Sequence, residues 1–195
     1  MIALTTQPQQ PILPFPQKDI RYRAIGLVPG SFTVSNEDKS KGTFLLDNKY
    51  HLDAAIIPRS HSRLKNLEIK QNQNYNWLCY PRTNRDGDIV KLMLINAYPP
   101  DSNLELQNYF YIRGEVVKQD NGILIVKIVQ TAKNYEFRVR IDGYMPKMIW
   151  SQFWDFKCYR DETQLFLEDA ELIFKPKRYR KKSRSSTGTN LDIDS

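Results

Sequence analysis

Apolar and polar residues alternate in short runs along most of this chain. In the clearest run, residues 135–142, Tyr135, Phe137, Val139 and Ile141 alternate with charged residues. A period of two predicts a strand with one buried face. Comparable runs predict ten strands: RYRAIGLV, TFLLD, YHLDAAI, NWLCYPR, IVKLMLINA, YFYIRGEVV, GILIVKIVQ, YEFRVRID, FWDFKCY and QLFLEDAELIF.

The strand pattern occurs twice. The segment NWLCYPR (76–82) is matched by WDFKCYR (154–160), and these two segments hold both cysteines of the chain. Each is followed by a turn and a second strand; the first turn, residues 84–88, contains Asp-Gly, a strong hairpin signal. Upstream of these segments, RYRAIGLV aligns with YFYIRGEVV, so that Gly26 and Gly114 occupy the same position in the two repeats. The pattern indicates an internal duplication.

Each half reads as three strands, a connector that has room for a short helix, and two strands. This order and length predict an all-β fold of two tandem five-stranded OB-like barrels, in which a glycine in the first strand allows a sharp bend. SH3-like barrels are the alternative closure. The predicted organisation is a flexible Pro/Gln-rich arm (1–20), a first barrel (21–98), a linker (99–108), a second barrel (109–174) and a disordered basic tail (175–195).

Composition indicates a globular protein of the cytoplasm. The chain is 41% hydrophobic, enough to fill a core, but no apolar run approaches the roughly 20 residues of a membrane helix. The N-terminal residues lack the basic region of a signal peptide and are interrupted by prolines. In the cytoplasm, Cys79 and Cys158 are expected to be buried, reduced thiols. We also expect Trp77, Trp154, Phe44 and Phe137 to pack in the core.

Charge separates the two halves. Residues 1–100 carry 13 Lys and Arg against 8 Asp and Glu (net +5), and residues 101–174 carry 9 against 12 (net −3). Residues 175–195 carry 7 against 2 (net +5), which completes the total of +7. A basic copy beside an acidic copy suggests that the first barrel meets a polyanion, while the second supports it or contacts a protein. Drift of surface charge for solubility is the alternative.

The C-terminal tail carries the strongest single signal. Seven of the ten residues 175–184 are cations, and a polar segment follows them. Such a segment can neutralise phosphates with a steep dependence on salt and little dependence on sequence. An acidic protein surface, anionic lipid and a solubilising role are the alternatives. The tail residues predicted to contact nucleic acid are Lys175, Lys177, Arg178, Tyr179, Arg180, Lys181, Lys182 and Arg184.

Cationic and aromatic residues also interleave in the first barrel. OB barrels bind single strands by stacking bases on aromatic rings while cations follow the backbone. The predicted contact residues are Arg21, Tyr22, Arg23, Tyr50, Arg59, Arg63, Lys65, Tyr80 and Arg82. Core packing is the alternative role for the three tyrosines, Tyr22, Tyr50 and Tyr80.

No motif for phosphate binding, nucleophilic catalysis or metal ligation is present in the sequence, so we expect no enzyme activity, no cofactor and no metal. The spacing of His51 and His61 does not favour metal ligation. The predicted function is binding of single-stranded nucleic acid, with RNA slightly favoured over DNA. No membrane insertion is expected. The alternative is a scaffold or assembly protein, within a ribonucleoprotein for example, whose second barrel docks a protein partner.

The segments RYRAIGLVPGSFT, GTFLLDNKYHLDAAI, CYPRT, YFYIRGEVV and FWDF together resemble a family of cyanobacterial proteins with two similar β halves. The resemblance covers residues from Arg21 to Phe174. Members of that family carry a longer, acidic segment between the halves, where this chain has a short linker. The resemblance implies the two-barrel fold, and it assigns no activity and no catalytic residue.

Overall fold

The computed structural model describes residues 21–46, 49–66, 73–99, 108–130 and 135–174. The predicted arm (1–20), most of the predicted linker and the predicted tail (175–195) lie outside these residues. None of the helices described is long and apolar enough to cross a membrane. The strands are β1 (Arg23–Val34), β2 (Lys41–Leu46), β3 (Tyr50–Ile56), β4 (Asn74–Thr83), β5 (Ile89–Tyr98), β6 (Tyr109–Asp120), β7 (Ile123–Gln130), β8 (Tyr135–Asp142), β9 (Phe153–Asp161) and β10 (Gln164–Phe174).

The first five strands close into a barrel in the hydrogen-bonded order β1-β2-β3-β5-β4-β1, with β3 parallel to β5 and every other pair antiparallel. A 3-10 turn (Pro58–Ser60) and helix α1 (His61–Asn66) connect β3 to β4. The Trp77 side chain is 1% exposed, and its indole nitrogen donates to the Gly30 carbonyl at 3.1 Å. This is the OB arrangement, so the predicted closure is confirmed.

The second five strands repeat this order as β6-β7-β8-β10-β9-β6, again with the third and fifth strands parallel. The connector between β8 and β9 contains turns and bends but no helix. Phe44 and Trp77 are fully buried, as predicted, whereas Phe137 and Trp154 are half-buried and pack against the edge of the core. Two barrels of one topology confirm the fold predicted from the repeated pattern.

The register corrects one detail of the predicted duplication. Cys79 lies opposite Gly26 in the β1–β4 ladder, and Cys158 lies opposite Phe110 in the β6–β9 ladder. Gly26 is therefore the counterpart of Phe110, and the counterpart of Gly114 is Gly30. At Gly30, β1 pairs with both β2 and β4. A Cβ at this position would lie 2.4 Å from the Phe44 ring of β2, so the close approach of the two strands requires glycine.

Pairing between β1 and β6 joins the barrels into one continuous ten-stranded sheet. Gly26 lies opposite Phe110, its own counterpart, so a local two-fold axis passes between these residues. The ring of Phe110 occupies the place where a Cβ on Gly26 would lie, at 2.5 Å. The asymmetry of this pair is thus sterically required, since the axis has room for one large side chain.

Both cysteines are free and buried, as predicted. Burial raises the pKa of the Cys79 thiol to about 12 and raises that of Cys158 as well. Because the thiolate is the reactive form, we expect neither cysteine to react with a thiol reagent at pH 8 in the native protein. Titration with a chromogenic disulfide reagent should detect two thiols in denaturant and none in its absence. Rapid reaction of either thiol in the native state would contradict the burial described.

Candidate nucleic-acid interface

Four of the predicted first-barrel residues contact the second barrel. The Tyr22 ring packs edge-on against Phe153 with centroids 5.1 Å apart, and the Arg23 guanidinium lies 5.7 Å from the ring centre of Tyr111. The Tyr50 hydroxyl donates to Glu162, which raises the pKa of Tyr50. The guanidinium of the fourth residue, Arg82, lies over two aromatic rings of β8, Tyr135 at 5.5 Å and Phe137 at 6.0 Å.

The turn between β4 and β5, residues 84–88, docks on β8 of the second barrel. The Arg140 amide donates to the Gly87 carbonyl at 3.0 Å, and the Thr83 hydroxyl donates to the Arg138 carbonyl at 2.5 Å. The corresponding turn of the second barrel carries Glu162, which accepts from Tyr50. The β4–β5 turn of the first barrel and the equivalent β9–β10 turn of the second barrel therefore each contact the other barrel. In OB proteins this loop often contacts the ligand.

A row of cations and aromatic rings crosses this seam on the outer surface. The Arg59 guanidinium donates to the Tyr80 hydroxyl at 3.1 Å. Tyr80 and Arg82 share one face of β4, since side chains two apart in a strand point the same way, and Lys91 lies opposite Arg82 on β5. Beyond Arg82 the row continues onto β8. We call the following residues the cation–aromatic strip: Arg59, Tyr80, Arg82, Lys91 and Tyr135.

The two barrels differ in how many of their cations form ion pairs. In the first barrel, Arg59 and Lys91 have no carboxylate within ion-pair distance among the residues described, although Asp53 lies opposite Lys91 in the β3–β5 ladder. In the second barrel, most cations have a carboxylate partner at 2.5 to 3.9 Å: Arg113, Lys118, Lys127, Arg140 and Lys157. The charge available to an anion is therefore concentrated on the first barrel.

This geometry can hold a polyanion with flat substituents. Guanidinium and ammonium groups contact phosphates, and exposed aromatic rings offer faces to bases. Tyr135 is 45% exposed beneath the Arg82 guanidinium. A cation over a ring is attracted by its π system, so Arg82 holds Tyr135 in place across the seam.

The remaining predicted residues fall elsewhere. Arg21 is exposed just before β1. Arg63 and Lys65 lie on α1, but their side chains are not among those described. The predicted tail residues, from Lys175 to Arg184, lie outside the described residues, so their role stays a prediction.

Sequence reasoning missed the connector between β8 and β9. This segment, GYMPKMIWSQ (143–152), exposes three large apolar side chains: Tyr144, Met148 and Trp150. Apolar residues in a segment with no strand period were the available signal. The sequence pattern predicts only a connector here, whereas the structure shows a segment that is packed against the barrel through Ile149 and exposes these side chains.

Each half of the chain matches a known protein-family model. Residues 24–105 match the model described as "PatR RNA-binding protein, N-terminal OB-fold domain". Residues 112–174 match "Cyanobacterial OB-fold-like RNA-binding domain, C-terminal". The chain matches none of the curated proteins compared with it. Since the two matches meet near the β1–β6 seam and together span nearly all the strands described, the chain belongs to this family of cyanobacterial RNA-binding proteins with two OB-fold domains.

Proposed function

We propose that this protein holds single-stranded RNA, without changing it chemically, on the cation–aromatic strip and the basic segment 175–184. The observation that carries the proposal is the Arg59–Tyr80–Arg82–Tyr135 row, which crosses from one OB barrel to the other. Both of these barrels belong to RNA-binding families. The first barrel supplies Arg59 and Lys91, which have no carboxylate within ion-pair distance among the described residues, and the second barrel contributes the Tyr135 ring to the same surface.

A single strand fits this surface better than a duplex. The faces of bases are available for stacking only when the strand is unpaired, and the two aromatic rings of the strip, Tyr80 and Tyr135, are partly exposed. Double-stranded RNA is recognised mainly through its phosphates and 2′-hydroxyls across the minor groove. The rings would have no role in binding a duplex, so the mixture of cations and rings favours unpaired bases.

Rigidity supports one shared binding surface. The β1–β6 pairing, the Arg82–Tyr135 contact and the two docked turns connect the barrels at several points. Two modules fixed relative to each other lose little orientational freedom when a ligand bridges them. We therefore propose that RNA meets the two barrels as one continuous surface.

The test is binding of full-length protein to single-stranded RNA, single-stranded DNA and duplex RNA homopolymers at two salt concentrations, with two charge variants. Arg59→Gln and Lys91→Gln are each expected to weaken RNA binding. Each should also lower the slope of log affinity against log salt by about 0.7, because one phosphate contact is lost. Fluorescence anisotropy with end-labelled oligonucleotides measures both quantities.

Lys118→Gln is the matched control. Lys118 is a 64% exposed cation of the second barrel, 3.9 Å from Asp120, and it lies off the strip. Its substitution is expected to leave the slope unchanged. Tighter binding to duplex than to single strands would contradict the proposal, as would the absence of any RNA binding at low salt. The second outcome would favour docking of a protein partner.

A further inference from the structure

The β8–β9 connector is held rigidly against the second barrel. Ile149 is 2% exposed and belongs to the core. The Gln119 side chain contacts three backbone groups of the connector: its amide nitrogen donates to the carbonyls of Met145 (3.3 Å) and Lys147 (3.2 Å), and its oxygen accepts from the Ile149 amide (2.9 Å). One core anchor and one three-point clamp fix the path of the backbone.

This fixed backbone displays large apolar side chains to solvent. Tyr144 is 77% exposed, Met148 72% and Trp150 62%. The Trp150 indole nitrogen donates to the Val117 carbonyl at 3.0 Å, which sets the orientation of the ring. Exposing such residues costs hydration free energy, and holding them rigid lowers the entropic cost of binding a partner. The arrangement is that of a preorganised binding surface.

The surface lies beside the turn between β6 and β7. The Gly143 amide donates to the Gly122 carbonyl in that turn at 2.7 Å. The first barrel has the same contact, from the Ile56 amide to the Ser40 carbonyl, also at 2.7 Å. The loop between the first two strands is one that OB barrels use to contact oligonucleotides. The exposed rings therefore sit at a place suited to a nucleic acid.

We propose that Tyr144 and Trp150 form a base-stacking site of the second barrel, with Lys147 contacting a phosphate, an inference that rests on the RNA binding proposed above. Most cations of the second barrel are neutralised by carboxylates, so its contribution to RNA binding must come mainly from groups other than charge. Aromatic faces provide such contacts for any base. The match to the C-terminal RNA-binding domain spans this connector.

Strand β8 links this site to the strip. The strand starts at Tyr135 on the seam and ends at Asp142, two residues before Tyr144. At about 3.3 Å per residue, the two aromatic sites lie at most roughly 30 Å apart along the chain. The footprint on RNA thus covers both barrels. Affinity should rise with oligonucleotide length until the strand reaches from the strip to Trp150.

Full-length protein titrated with single-stranded oligo(U) and oligo(A) tests the site. Trp150→Ala is expected to weaken binding about 5- to 150-fold, the range for one stacked base. Trp150→Phe keeps a stacking face and should bind nearly as wild type, but it should lose the quenching of tryptophan fluorescence that stacking on Trp150 produces. Tyr144→Ala removes no described hydrogen bond, so it tests the site without loosening the connector.

Salt dependence separates the roles within the site. Tyr144→Ala should weaken binding at an unchanged salt slope, whereas Lys147→Gln should lower the slope by about 0.7. Tyr159→Ala is the control, because Tyr159 is a 42% exposed aromatic of β9, outside the connector, and its loss should have no effect. Wild-type affinity in both Trp150→Ala and Tyr144→Ala would overturn the stacking site and assign the surface to a protein partner. Failure of the wild type to bind RNA would instead refute the proposed function.

Discussion

Deleting the residues after Phe174 is expected to weaken RNA binding for all sequences about equally and to flatten its salt dependence. Residues 175–184 carry seven cations, which can neutralise phosphates but have no means of reading bases. At about 0.7 counterion released per phosphate on a single strand, losing four contacts lowers the log–log slope by about 3. Anisotropy titrations at four or more salt concentrations give this slope directly.

A full-length variant in which the seven cations are replaced by glutamine is the matched control, because it keeps the length of the chain and removes only the charge. It should reproduce the flattened slope of the truncation. Folding should be unaffected by either change, because β10 ends at Phe174 and the removed segment has few apolar residues. A full slope in both variants would show that the segment does not contact RNA.

Local pattern was enough to predict the strands and their order. The alternation in β8 and the Asp-Gly turn between β4 and β5 are properties of neighbouring residues, and both are confirmed. The glycine register was wrong because matching Gly26 to Gly114 used residue identity. Counterparts are instead defined by which residues face each other across the ladders, and this pairing assigns Gly114 to Gly30.

The candidate surface could be predicted only in part, because some of its contacts join residues that are distant in the sequence. Interleaved cations and rings singled out Arg59, Tyr80 and Arg82 in the sequence. Their partner Tyr135 could not be found this way, because its approach to Arg82 depends on the β1–β6 pairing, which no short segment encodes. Several predicted residues face the second barrel for the same reason, so changing them tests the seam together with RNA binding.

Replacing Asp155 by alanine is expected to lower the free energy of unfolding by about 3–5 kcal/mol, the usual effect of removing one member of a buried ion pair. The Arg113 guanidinium donates to Asp155 from Nε at 3.1 Å, and both side chains are buried. Burial raises the pKa of Asp155, while the nearby Arg113 and Arg23 act in the opposite direction. Without the carboxylate, these two arginines face each other in the β1–β6 ladder and lose the compensating charge that Asp155 supplies to both.

Urea denaturation of the single variant and of Arg113→Leu/Asp155→Leu separates charge from packing. The first barrel has Pro29 opposite Asn76 at the counterpart positions, so this fold closes without an ion pair there. The double variant is therefore expected to recover most of the stability lost in Asp155→Ala, because Arg113 is removed together with its carboxylate partner and only one of the two facing arginines remains. A double variant as unstable as the single one would mean that the shape of the two side chains, rather than their charge, stabilises the junction of β6 and β9.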